Sequence, residues 1–194
     1  MKNKYSKEWL TKEEYSRLIN SIGISRRDEL VVSLLYGCAL RVGELSDLKV
    51  KDIDLQKGTL VLWQSKRSTD PALVPIPGPT VKMINQWITE NKLSPNNYLL
   101  FSQQSKKLSR PQIYRIIREN GIQAGIYKKL TTHSLRRSRA SHLLDSGLSI
   151  EKVSKLLRHK DISSTTVYLR ISIQALQNAI EKIDEADRAY DFLT

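Results

Sequence analysis

The sequence predicts a mainly α-helical protein with one small antiparallel β-sheet, an α+β class. Helix-start signals recur along the chain, at Thr11 with Glu14, Ser109 with Pro111, Thr132 and Ser149. Two short β-prone runs flank a polar loop in the first half, the pattern of a hairpin. At 194 residues the chain is long enough to bury one real core and short for two.

The elements follow in order. Thr11 and Glu14 form a capping box that opens a helix through Leu18 to about Ile22. Residues 26–40 read as a second, mostly buried helix, and 42–48 as a short third. Gly58 introduces a strand at 59–63, and 72–76 is its hairpin partner across the polar loop 64–70. Pro77, Gly78 and Pro79 end the hairpin and start a helix at about Thr80, running to Asn91. Residues 98–102 predict a third strand. Ser109 with Pro111 opens a helix to Ala124. Thr132 caps one reaching Ser146, Gly147 stops it, and Ser149 caps a helix over 150–157. Thr165 and Thr166 precede a helical turn holding Tyr168, and an acidic helix begins near Ile173. We expect residues 1–172 to form one domain, with 173–194 as an appended acidic helix.

Composition excludes several classes. Hydrophobic residues make up 40% and charged residues 27%, a globular balance. The longest apolar stretch, 31–40, is too short for a membrane span. Residues 1–9 carry charges and no apolar block, unlike a signal peptide. A lone cysteine, Cys38, argues against a disulfide scaffold and a multi-cysteine metal site. Walker-type and G-x-G-x-x-G phosphate loops are absent from the sequence. We therefore expect a soluble, cytoplasmic protein with neither metal nor nucleotide cofactor.

Charge is the strongest functional signal. The formal net charge is +12, but residues 101–170 alone hold 15 basic side chains against 4 acidic ones. Residues 171–194 reverse the sign, with 2 basic and 5 acidic side chains. Such a basic block suits a polyanion, because neutralising phosphates releases condensed counterions. A merely solubilising surface is the plainer alternative.

Certain residues sit where hydrophobic patterning alone would not put them. Arg41 follows a buried helix, where an arginine needs a partner such as Glu44 or an anion. On a wheel of the helix from Thr132, His133, Arg136 and Arg137 share a sector with Ala140, Leu143 and Leu144, the side expected to face the core. Arg139 and His142 fall opposite, toward solvent or a DNA backbone, and Leu135 does not fit. His133 is equally readable as a satisfied core histidine. Tyr168 is one tyrosine of 8, with Arg158, His159 and Lys160 just upstream. From the residues alone the chain is a nucleic-acid-binding domain with a candidate anion site.

Together, however, these residues resemble the catalytic domain of the tyrosine recombinases, the phage integrase and Xer family. The stretch SLLYGCALRVGELSDLKVKDID at 33–54 is similar to the family's first arginine box, with Arg41 and Glu44 in its key places. THSLRRSRASHLLDSG at 132–147 resembles the H-x-x-R box, through His133 and Arg136. SKLLRHKDISSTTVYL at 154–169 resembles the terminal box, through His159 and Tyr168. Lys66 is the best match to the family's hairpin lysine, with Arg67 beside it as a competitor. The likeness spans about residues 8–172. It departs from the usual pattern where Arg158 replaces a glycine before His159, where Arg137 stands for a common histidine, and in beginning almost directly with the catalytic domain.

The resemblance implies a site-specific DNA recombinase. Tyr168 attacks a phosphodiester to leave a 3′-phosphotyrosyl link, which a partner strand's 5′-hydroxyl then reseals. Arg41 and Arg136 hold the non-bridging oxygens, Lys66 protonates the leaving oxygen, His133 assists proton transfer and His159 bonds the phosphate. Glu44 supports Arg41, while Arg67, Arg137, Arg139, Arg158 and Lys160 face DNA. Four protomers on two double-stranded sites follow from the four cuts of an exchange, with a monomer or weak dimer expected without DNA. Ile173, Leu176, Ile180 and Ile183 recur at helical spacing, a stripe that docks either in its own chain or on a neighbour. A non-catalytic DNA binder and a type IB topoisomerase-like relaxing enzyme are the alternatives on the same fold.

Overall fold

A computed structural model describes residues 9–21, 23–63, 71–159 and 180. The chain divides into two compact units, Met1–Arg139 and Ala140–Thr194.

In the first unit α1 (Lys12–Ile19) starts at the predicted capping box, Thr11 accepting from the Glu14 N–H and Glu14 accepting from Thr11. The central helix α2 (Arg26–Gly37) is buried continuously from Leu30 to Gly37. A helix apolar on every side belongs inside a bundle, and α2 packs against α1, α3 (Val42–Asp47), α4 (Gly78–Glu90) and α5 (Arg110–Gln123). Leu34, Leu35, Leu45, Ile84, Ile113 and Ile117 are fully buried in this core. Gly121 in α5 is required by packing, because a Cβ there would lie 2.7 Å from a Leu130 methyl.

The sheet is antiparallel with strand order β1 (Ile53–Asp54), β2 (Thr59–Leu62), β3 (Ala72–Pro75). The predicted hairpin is β2 and β3, in register from Thr59↔Pro75 to Leu62↔Ala72. Leu60 and Val74 point into the core, whereas Leu73 and Trp63 remain largely exposed.

The third strand was expected at 98–102 and is instead β1. Tyr98 does pair, with Lys49, but as an isolated bridge. Its partner segment runs at once into the 3-10 turn Val50–Asp52, so no ladder can extend. The second helix also ends earlier than expected, at Gly37. Cys38 caps it, and Ala39 adopts a left-handed φ of 48°, reversing the chain toward Arg41.

α6 (Thr132–Asp145) contains the boundary between the units. Its cap is Thr131 rather than Thr132: the Thr131 hydroxyl accepts from the Ser134 N–H, and the Ser134 hydroxyl accepts from the Thr131 N–H, each at 3.1 Å. In the second unit Gly147, at φ 88°, ends α6 as predicted, and Ser149 takes the N-cap position of α7 (Ile150–Leu157) without a side-chain cap hydrogen bond. Val153 and Leu157 form the buried side of α7.

Candidate functional site

Arg41 is the N-cap of α3, in extended backbone. Glu44 grips it twice, one carboxylate oxygen accepting the Arg41 N–H at 2.7 Å and the other the guanidinium at 2.8 Å. The expected pairing therefore forms. The Arg41 side chain is 42% exposed. A carboxylate bonded to both ends of one arginine orients it rather than sequestering it.

Arg136 reaches the same place from α6. It is 5% exposed, and its guanidinium donates to the main-chain carbonyl of Ala39, two residues before Arg41. His133, one helical turn earlier, was expected on the core-facing side of α6 and is instead exposed, so it is not a core histidine. Partial burial of its ring, then the charges of Arg137, Arg136 and Arg41, push its pKa below the ordinary histidine value. His133 thus senses all three guanidiniums. The structure unites Arg41, Glu44, His133, Arg136 and Arg137 in one patch that disfavours the imidazolium form. Such a patch favours an anion, with planar forks suited to phosphate oxygens.

The wheel of α6 needs correction. His142 was expected toward solvent or a DNA backbone and is 7% exposed, while Leu135, the misfit, is fully buried. Arg139, expected on that same open side, is half-buried with its guanidinium 5.3 Å above the Tyr36 ring. Tyr36 in turn stacks on Tyr15 at 3.6 Å. Burial raises the pKa of both phenols, that of Tyr15 to about 12. The physical reason lies in Ser134, Ser138 and Ser141, all buried. These small polar residues allow close packing and satisfy their hydroxyls locally, as Ser138 does by donating to the Ser134 carbonyl and accepting from the Leu10 N–H, both at 2.7 Å. A hydropathy wheel counts them as outward.

In the second unit Arg158 and His159 follow α7. Arg158 is left-handed (φ 52°, ψ 44°), the conformation that a glycine in its place would adopt freely. The His159 N–H donates to the Ser154 carbonyl at 3.2 Å, closing the helix end. Lys66, Arg67, Lys160 and Tyr168 lie outside the described residues, as do Ile173, Leu176 and Ile183. Ile180 is helical and exposed. Among the described residues no group of His, Cys, Asp and Glu could hold a metal ion, and no helix is long and apolar enough to cross a membrane.

One residue escaped sequence reasoning. Arg110, the first residue of α5, lies with its guanidinium against Gly43 in the first turn of α3. Its membership of the basic 101–170 block was the available signal.

Fold and patch together define a mainly helical domain with a small antiparallel sheet, in which residues of two sequence boxes gather three arginines around one histidine. The profile of the phage integrase family matches residues 8–174, and the chain belongs to that family, with the catalytic-domain fold of a tyrosine recombinase. It is similar to tyrosine recombinase XerA of Pyrococcus furiosus, 38% identical over 177 residues, or 89% of this chain and 60% of that protein. XerA of Thermococcus kodakarensis is 37% identical over 89% of this chain and 61% of its own length. Among solved structures, the XerA recombinase crystal structure matches with a TM-score of 0.80 at 30% identity, covering 90% of this chain and 64% of that one. A pre-cleavage complex of XerH site-specific recombinase bound to difH substrate matches with a TM-score of 0.73 at 25% identity, over 89% and 53% of the two chains. This chain thus spans about three fifths of the length of the XerA relatives.

Proposed function

We propose that this protein is a site-specific DNA recombinase that breaks and rejoins strands through a 3′-phosphotyrosyl intermediate. The observation that supports this most is the convergence of two sequence boxes on one patch, where Arg41, Arg136 and Arg137 all act on His133. A phenol with an ordinary pKa near 10 is a weak nucleophile at neutral pH and needs a base or a positive field.

In this mechanism Arg41 and Arg136 grip the non-bridging oxygens and stabilise the charge of the pentacovalent transition state. His133 accepts the proton of Tyr168 as its oxygen attacks phosphorus. Lys66 delivers a proton to the departing 5′-oxygen, and His159 bonds a phosphate oxygen. Glu44 orients Arg41. The phosphodiester's energy is kept in the tyrosyl link, so resealing by a 5′-hydroxyl needs neither nucleotide nor metal. Arg67, Arg137, Arg158 and Lys160 serve the surrounding duplex. Strand exchange requires four protomers on two paired sites. The stripe from Ile173 to Ile183 is a candidate for coupling them, and the cytoplasmic DNA compartment is where they act.

Covalent trapping tests this reading. Wild-type protein is mixed with labelled, nicked duplexes from its own locus in EDTA, beside Tyr168→Phe. A protein–DNA band that survives denaturant in wild type alone is expected. Cleavage that persists in Tyr168→Phe overturns the mechanism.

A further inference from the structure

Arg139 stands where an apolar side chain would cost less. The residue is half-buried, and its Nε is sealed from solvent without a hydrogen-bond partner among the described residues. No described carboxylate forms an ion pair with it. Burying a guanidinium on such terms opposes folding, and an apolar residue of similar reach would fill the same space more favourably. What the guanidinium does have is Tyr36, whose ring centroid lies 5.3 Å from its Cζ. The charge of Arg139 and a hydrogen bond to the phenol both oppose the burial that raises the Tyr36 pKa. Tyr36 is 8% exposed, lies in the last turn of α2 and stacks on Tyr15 of α1.

This contact adjoins the turn that presents Arg41. Ala39 is left-handed at φ 48° without being glycine, a conformation that persists only where its neighbours over-determine it. Two hydrogen bonds hold it. Its N–H donates to the Tyr36 carbonyl at 3.2 Å, and its carbonyl accepts from Arg136. Arg136 and Arg139 are three residues apart on α6 and so are neighbours on the helix surface. α6 therefore takes the end of α2 at two points, the Tyr36 ring and the Ala39 carbonyl. The charges that lower the His133 pKa are those of Arg137, Arg136 and Arg41, so Arg139 reaches that imidazole only through them.

We infer that Arg139 is a positioning residue: by gripping the Tyr36 ring it fixes the Ala39 turn, and through that turn the placement of Arg41 against Arg136. Its consequence for strand cleavage rests on the recombinase reading; the placement itself is a property of the free protein.

The test compares wild type with Arg139→Met, Arg139→Lys, Tyr36→Leu and the Arg139→Met, Tyr36→Leu double variant. Arg139→Met keeps most of the side chain's reach and removes the charge, so Tm should hold or rise. Single-turnover cleavage of a nicked duplex should nevertheless fall about 10- to 100-fold, with duplex affinity retained. In the free protein, NMR titration should show the His133 pKa rising toward the ordinary histidine value as the guanidiniums relax away from it. Arg139→Lys, which keeps a cation for the ring, should restore most of both. Tyr36→Leu should shift the His133 pKa the same way and add little in the Arg139→Met background. A His133 pKa unmoved in Arg139→Met overturns the inference whatever the cleavage rate, and so does a shifted pKa with cleavage unchanged. A loss of duplex affinity equal to the loss of cleavage overturns it by placing Arg139 on DNA. A fall in Tm that Arg139→Lys does not rescue marks a merely structural role and overturns it too. If wild type itself forms no covalent complex, the recombinase reading fails, and the His133 titration alone decides the placement: a shift in Arg139→Met upholds it and no shift overturns it.

Discussion

The guanidinium of Arg136 donates to the carbonyl of Ala39 across 97 residues of sequence. Ala39 is left-handed, at φ 48°, and it turns the chain from buried α2 into the arginine-bearing cap of α3. This contact ties the two arginine boxes into one site. An off-fold pair of arginines becomes a fixed pair because one of them holds the backbone that presents the other.

Arg136→Lys should therefore impair chemistry more than binding. An ammonium cannot reproduce the planar fork that addresses both a carbonyl and a phosphate. We expect roughly a 10²–10³-fold loss in single-turnover cleavage, the usual effect of removing one preorganised donor. Arg136→Ala should in addition lower stability by about 1.5–3 kcal/mol, the worth of a hydrogen bond from a charged group. Chemical denaturation beside the cleavage assay separates the two effects.

His133 should titrate below the ordinary histidine range in the free protein, because partial burial and three nearby guanidiniums disfavour its cation. The folded state then binds fewer protons than the unfolded chain. Its contribution to stability is present above the unfolded value and is lost as pH falls from there toward the folded pKa. A bound anion cancels the repulsion and raises that pKa. NMR titration should show an upward shift on adding DNA, and duplex affinity should rise as pH is lowered through this interval. A His133 pKa indifferent to DNA contradicts the patch.

Glu14 should be the acid-sensitive staple of the amino-terminal helix. It caps Thr11 and pairs with Lys128, whose ammonium also donates to the Trp9 carbonyl at 2.7 Å. Burial raises its pKa, but the Lys128 and Thr11 hydrogen bonds with the charges of Lys128 and Arg17 outweigh it, so the net shift is downward. Its stabilisation is present above the unfolded pKa and is lost as pH falls through the folded one. Glu14→Gln should cost about 1–2 kcal/mol at neutral pH and almost nothing in acid, read from denaturation at both.

Arg158→Gly should stabilise the end of α7. A non-glycine residue pays about 1–2 kcal/mol for a left-handed backbone. Arg158 recovers part of this through its guanidinium bond to the Leu156 carbonyl at 2.8 Å. A net gain of about 0.5–1 kcal/mol is expected once the unfolded-state entropy of glycine is included. Thermal unfolding checks it; a loss of stability would mean that the side chain outweighs the backbone.

Local chemistry was legible wherever it was local. The Thr11–Glu14 box, the β2–β3 hairpin, the Ser109 cap and the Gly147 stop all depend on residues within a few positions of one another, and each formed as expected. The face of α6 was not legible, because buried serines carry no hydropathy signal and the groups that satisfy them include the Leu10 N–H, distant in sequence. The missing strand at 98–102 has the same origin, since Lys49 offers Tyr98 a partner for a single bridge and then curls into a 3-10 turn.

By itself the sequence determined the α+β class, the basic block, the three motif boxes and, through them, the family. Those are properties of composition and spacing, which survive without coordinates. Only the tertiary structure decided that Arg136 holds Ala39, that Arg139 lies over Tyr36 rather than open to solvent, and that Arg110 lies against Gly43. Each of these joins residues far apart in the chain, and such contacts are settled by how helices pack rather than by what any one helix prefers.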